Sequence, residues 1–412
     1  MFPTQCITKS MILGLILVQA AFAQEWPRFR GPNGEGLSPD SSFPVRWTND
    51  DYLWRKELPG IGYSSPVVCG PRLFITSALE EDATQIISCL STTDGTILWQ
   101  QRYASTKHDR HPFNCFASST PALDEDALYF LWANPEQFAV VKLAQETGKE
   151  VWRRDLGAFA AEHAFGASPI VYQGLVIVPN DQDGDSSIVA LDRGTGEIRW
   201  KAPRRAEKTA YSTPCLYTPE AGAAQLIVTS WAHGFSGLDP QTGKTFWELP
   251  IFKNRVVNSP LVCSGLVIAC SGTGGIGRQM FAVRPGQPER GIEAEVVYEP
   301  KGSLPYVVTP VACGDLLFSW FDKGVVTCLE IASGEKIWQE RIGGDYFGSP
   351  VCAGGKLYCI SREGQVVVLS ASREFEELGR VDLGEPSHST PAIAGGVMYL
   401  RTKSRIMALG SK

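Results

Sequence analysis

No stretch of this chain is apolar for long enough to cross a bilayer. The longest such run, residues 11–18, falls well short of the ~20 residues a spanning helix needs. Lys9 stands ahead of the run and Ala21-Phe22-Ala23 follows as a small-x-small cleavage pattern. Residues 1–23 therefore read as a signal peptide, with Gln24 as the expected mature N-terminus. Cys6 precedes the run, so no lipid-attachment cysteine stands at the cleavage point. A periplasmic or secreted protein without a transmembrane segment is expected. Blocks of Lys and Arg are missing as well. With 38 basic against 44 acidic residues and a net charge of −6, the chain offers no cationic tract for phosphates, and no nucleic-acid partner is expected. Neither Cys-x-x-Cys nor Cys-Cys occurs among the 11 cysteines, which removes the usual thiolate metal pattern. Histidine is scarce, at five residues.

What is present is a repeat. Eight times a small polar residue precedes Pro, then come apolar residues, a Gly- or Asp-containing turn and a second apolar run. The prolines are Pro66, Pro121, Pro169, Pro214, Pro260, Pro310, Pro350 and Pro391, spaced 40 to 55 residues apart. Such periods signal four-stranded propeller blades. Residues 168–178 read as a hairpin, residues 188–192 as a third strand, Arg193-Gly194-Thr195-Gly196 as a turn, and Glu197-Ile198-Arg199-Trp200 as the start of a fourth. The fourth-strand Trp recurs at Trp99, Trp152, Trp247 and Trp338, each a few residues after a turn glycine. Blades five and seven lack it, and their outer strands are expected at residues 294–298 and 379–382. The last repeat stops at Leu409 without its fourth strand, whereas Asp51-Tyr52-Leu53-Trp54 has that strand's pattern. An all-β, eight-bladed β-propeller of four-stranded antiparallel blades follows. Its last blade is closed by the N-terminal strand, which removes two exposed strand edges. Residues 24–50 are expected as an extended segment and residues 51–412 as a single propeller.

Repeat position also bears on the cysteines. Cys89 and Cys328 stand where Ala190 stands, and Cys69, Cys263, Cys313 and Cys352 end first strands. Equivalent sites in different blades are expected to lie too far apart to bridge, so the thiols are read as small packing residues. Within single hairpins, Cys263 with Cys270 and Cys352 with Cys359 remain open as bridges.

Antiparallel blades place their second-to-third-strand loops and their inter-blade loops on one face. His108, His111, His163, His233 and His388 all map there, as do Trp132, Trp231 and Trp320 at the upper ends of second strands. Asn114, Arg255, Asn258, Tyr306 and Tyr346 complete a candidate ligand or partner face, since aromatic walls with a few convergent polar groups are the usual mark of a site. Asp181, Asp183 and Asp185 resemble the start of a calcium loop, although the closing Glu is absent.

The Asp-x-x-Thr-Gly-x-x-x-Trp pattern resembles the PQQ-type propeller repeat over nearly all the mature chain. In quinoprotein dehydrogenases that repeat is scaffold. Activity there depends on a calcium site, a catalytic Asp, a clamp for the quinone and often an adjacent Cys-Cys disulfide. No catalytic residue is identified in this chain, and no cofactor is expected; PQQ with calcium is the alternative. Length and pattern look more like the BamB family, which implies a non-enzymatic scaffold whose partners are envelope proteins. Residues 26–34 and 116–121 also resemble a group of exported bacterial PQQ-repeat propellers. A monomer is expected, and binding of glycans or small ligands through the His/Trp face is the remaining reading. N-terminal sequencing of the exported protein is expected to begin at Gln24; a chain retaining Lys9 would contradict the signal-peptide assignment.

Overall fold

The computed structural model describes residues 25–40, 43–205 and 207–410. The expected signal peptide lies outside them. Eight sheets surround a central axis, each with four antiparallel strands A to D running outward, in chain order in the first seven blades. Blade three shows why the sequence folds this way. Ile170–Tyr172 pairs with Leu175–Asn180, then Ser186–Asp192, then Ile198–Arg204. Asp192 accepts the backbone N–H groups of Gly194 and Thr195, and Gly196 takes φ +71°, so the turn is held by its own side chain.

The recurring Gly and Trp form one contact shared by neighbouring blades. A Cβ on Gly196 would come within 2.7 Å of the Trp152 ring of the preceding blade, and the Trp152 indole donates to Arg193 O. Trp99 packs in the same way on Gly148 and donates to Gln145 O; Trp200 packs on Gly243 and donates to Pro240 O. At these junctions the outer-strand Trp is a wedge into the next blade's turn, which requires glycine there, whereas Trp338 packs on Phe375 and donates to Ser372 O in a turn without glycine. In blade five Tyr298 replaces Trp against Gly334. The outer strands of blades five and seven are Glu295–Tyr298 and Glu377–Asp382, close to expectation.

The ring closes as expected. Tyr52–Glu57 is the fourth strand of blade eight, with Trp54 opposite Ala408 and Glu57 opposite Arg405. Trp54 wedges onto Gly95 of blade one and donates to Thr92 O.

A second ring of contacts explains the Ser/Thr-Pro motif. At seven junctions the backbone N–H of the residue before Pro donates to the hydroxyl of its counterpart in the next blade. The bonds run from Ser65 to Thr120, Thr120 to Ser168, Thr213 to Ser259, Ser259 to Thr309, Thr309 to Ser349, Ser349 to Thr390 and Thr390 to Ser65, at 2.9 to 3.3 Å. Proline holds the preceding residue extended, and it heads the axial edge strand, where its missing N–H removes no ladder bond.

The segment before blade one does more than lie extended. Glu25–Trp26 pairs antiparallel with the inner strand of blade one, and Leu37–Ser38 pairs parallel with that of blade seven. Between them the chain crosses the lower end of the axis. Arg28 donates to Pro214 O, Arg30 donates to Pro310 O and Pro350 O at 2.8 Å, and Asn33 exchanges two hydrogen bonds with Leu216. Burial lowers both guanidinium groups, to about 10 at Arg28 and about 9 at Arg30, which leaves them cationic at neutral pH. This segment seals the base.

The cysteines from Cys69 to Cys359 are free thiols. Hairpin register rules out both bridges left open above. Cys263 lies opposite Leu266, four residues short of Cys270, and Cys352 lies opposite Leu357, two short of Cys359. Replacing Ser349 by Ala removes the acceptor for the buried Thr309 N–H without changing side-chain bulk much. It is expected to cost about 1–3 kcal/mol, measured as a lower midpoint in denaturant unfolding. An unchanged midpoint would show that the hydroxyl ring is incidental.

Candidate functional site

Above the hydroxyl ring the axis opens into a cavity of about 680 Å³. All eight Ser/Thr residues of the repeat motif line it, and Phe29 of the basal segment forms part of its wall. The cavity is therefore a funnel open at one face, with the N-terminal segment filling the far end of the axis. Loops that follow strands B and D build its walls.

Three ion-pair groups occupy those walls. Arg255 donates to Glu162 Oε2 at 2.7 Å, and Lys208 Nζ stands 3.3 Å from the same oxygen. Hydrogen bonds from Arg255 and Lys208 pull the Glu162 carboxyl down to about 2. Arg278 donates to Asp322 Oδ2 at 2.6 Å, while Asp322 Oδ1 accepts the backbone N–H groups of Tyr306, Val307 and Val308. Asp345 meets Lys323 at 2.8 Å and Arg362 at 3.3 Å. Five cations and three carboxylates thus line the funnel. Its lining is positive although the chain as a whole is negative.

Aromatic rings sit among these charges. The Arg362 guanidinium lies 3.9 Å from the Phe113 centroid and 4.8 Å from that of Phe347. His388 packs 4.1 Å from Tyr63, and its Nε2 lies 3.4 Å from Arg362 Nε. Burial, helped by Arg362, lowers His388 to about 4. His111 and His163 meet edge to face at 4.5 Å, and burial, with Arg255 and His111 adding to it, lowers His163 as well.

The structure brings together His111, Asn114, His163, Trp231, Arg255, Tyr306 and His388 from the expected set. It separates the others. Trp132 packs between blades against Tyr103 and Phe130, and Trp320 packs against the equally buried Tyr346. Both tryptophans lie within strands, whose two faces look at the neighbouring blades, so neither ring reaches the axis. Trp231, one residue past its strand, escapes that alternation. Asn258 is buried, bonded to Cys270 and to Tyr306 O. His108 packs beside Phe116, outside the cavity lining. His233 is held 2.6 Å from Glu248 while its Nε2 accepts the Arg205 N–H. Sequence reading missed Glu162, Arg278, Asp322, Asp345 and Arg362. Asp322 and Arg362 follow strand B directly, at the place where tryptophans had been sought.

The aspartates of blade three do not fit a calcium loop. Asp181 pairs with the buried Arg204 at 3.1 Å, Asp183 accepts from Thr209 and the Glu162 N–H, and Asp185 is exposed. Among the described residues no group of three or more His, Cys, Asp or Glu is placed to hold a metal ion.

Comparison with known proteins follows this geometry. The family described as outer membrane protein assembly factor BamB matches residues 82–340 and 322–411. An outer membrane protein assembly factor BamB of Burkholderia pseudomallei (strain K96243) is 23% identical over 391 residues, covering 83% of this chain and 96% of the relative. BamB from Moraxella catarrhalis superposes with a TM-score of 0.63 at 15% identity, over 87% of this chain and 96% of that structure. Quinohemoprotein alcohol dehydrogenase from Comamonas testosteroni superposes with a TM-score of 0.68 at 13% identity, over 96% of this chain and 82% of that one. At such identities the two structures share the fold.

The lowered His388 predicts a pH dependence. Its folded value lies below the 6.5 of the free group, so the unfolded chain takes up the proton first and stability falls as pH drops from 6.5 to about 4. His388→Gln is expected to flatten that fall, read as the midpoint of thermal unfolding against pH. The wild-type slope persisting in the variant would contradict it.

Proposed function

The chain belongs to the family described as outer membrane protein assembly factor BamB, and from that premise we propose that it is a non-enzymatic, exported scaffold that binds envelope proteins. The observation that carries this reading is the state of the funnel's acids and bases. Glu162 is drawn to about 2 by Arg255 and Lys208, and His388 is held at about 4. Asp322 is saturated by Arg278 and three backbone N–H groups. These groups are ordered for contact. A wall of aromatic rings with surplus cations suits an acidic partner segment that carries apolar or aromatic side chains.

The enclosed volume favours a second reading, a small-ligand or glycan site in which Trp231 supplies a stacking face. The Trp132 ring, buried between blades, plays no part in it. The PQQ-dependent alternative separates from both by its products.

Affinity-tagged protein is expected to co-purify envelope proteins, and Arg362→Glu is expected to lose them by reversing one charge at the funnel wall. Addition of PQQ with calcium is expected to change neither the melting temperature nor dye-linked alcohol oxidation. Turnover in that assay, or a glycan affinity lost with Trp231→Ala, would overturn the scaffold reading.

A further inference from the structure

Four cysteines lie at or next to the basal ends of innermost strands, away from the funnel. Three of them, Cys69, Cys263 and Cys313, stand three residues after the blade's Pro, whereas Cys352 stands two residues after Pro350. That offset of one matters, because successive side chains on a strand point to opposite faces. In a propeller those faces look at the preceding and the following blade. Cys69 packs into the core between blades one and two, Cys263 into that between five and six, and Cys313 into that between six and seven. Each faces forward around the ring. Cys352 has the opposite parity and faces back, into the same core as Cys313. Its neighbour Ala353 points the other way, into the core shared with blade eight. Cys313 and Cys352 therefore face one another across that core, on adjacent inner strands. The expectation that cysteines of different blades stand too far apart therefore fails for this pair. Inner strands of adjacent blades converge at the axis, and reversed parity turns these two side chains together.

The two members differ in access and acidity. Cys313 is half-buried, and the neighbouring Cys352 thiol lowers it. Cys352 is buried, and its thiol is raised first by the neighbouring Cys313 and then by burial. Burial pushes other thiols up, to about 12 at Cys89, Cys215, Cys263 and Cys328. One reachable, acidic thiol beside a buried partner is the arrangement of an attacking and a resolving cysteine.

We propose that Cys313 and Cys352 form a disulfide that staples blade six to blade seven when the protein meets an oxidising dithiol–disulfide couple. The Cys313 thiolate attacks one sulfur of the oxidant's disulfide, joining to it and releasing the other sulfur as a thiolate. Cys352 gives up its proton, and its sulfur then attacks Cys313 Sγ and expels the remaining oxidant thiolate. The two cysteines lose two electrons and two protons, and the oxidant gains both. The staple lies under the basal segment: the Cys352 N–H donates to Gly36 O at 2.7 Å, and Leu37 pairs with Cys352 in register. It therefore fixes the two inner strands whose Pro310 and Pro350 carbonyls receive Arg30.

The test is to equilibrate full-length protein with oxidised glutathione, alkylate it under denaturing conditions without reductant, and map the digest by mass spectrometry. The expected result is a peptide pair joined through Cys313 and Cys352, with the other mature cysteines alkylated. Reductant is expected to lower the melting temperature of wild type by a few degrees and to leave that of Cys313→Ser unchanged. Separate alkylation of Cys313 and Cys352, or a cross-link through any other pair, would overturn the proposal without needing the variant to fold.

Discussion

The structure depends on one hydrogen bond repeated at seven of the eight blade junctions around the axis, from the backbone N–H before a blade's proline to the hydroxyl of the next blade. Converging inner strands leave that N–H buried, where an unmet donor is costly. A hydroxyl from the neighbour meets it, and the neighbour's own N–H is met in turn. Because Thr390 donates to Ser65, the chain of bonds passes through the closure, and the first and last blades are held as any other pair. The same residues line the funnel, so the belt that aligns the blades also fixes the cavity's width.

Polar groups at the base are satisfied by different means. There the carbonyls of Pro214, Pro310 and Pro350 point toward the axis, and the buried guanidinium groups of Arg28 and Arg30 take them up. A guanidinium suits this because its planar fork offers several donors at once. Two cations thus close the lower end, while the upper end keeps five cations against three carboxylates. The open end combines rigid rings and paired charges, a surface ordered before any partner arrives.

Blade number, strand order and closure were legible because each rests on a local rule: proline at an axial edge, glycine in a tight turn, Trp four residues later. The funnel was legible in part. Residues in loops beside the anchors, such as His163 and Arg255, could be placed because loop position alone fixes their side of the ring. Trp132 and Trp320 could not, since both lie within strands, whose faces look only at neighbouring blades, and the strand ends are invisible without the register. Asp322 and Arg362 passed unnoticed for want of a chemical signature. Their meaning comes from partners far away in sequence, Arg278 and Asp345. Cys313 and Cys352 show the same limit, for one residue of offset separates facing from averted.

The departures from the repeat show that the conserved quantity is a contact and that several residues can supply it. In blade five the Tyr298 ring fills the place of Trp above Gly334. In blade seven the outer strand carries Gly379, where a Cβ would collide with the Val45 carbonyl of the N-terminal segment. Phe43 of that segment packs edge-on at 6.4 Å against Tyr358, and the Tyr358 hydroxyl donates to Phe43 O. The chain ahead of blade one thus stands in for the missing wedge, having already sealed the base, and goes on to close blade eight through Trp54. These three tasks fall on one continuous stretch. Its anchorage on blade seven and its closing strand on blade eight lie on the same run of chain, from Leu37–Ser38 to Tyr52–Glu57.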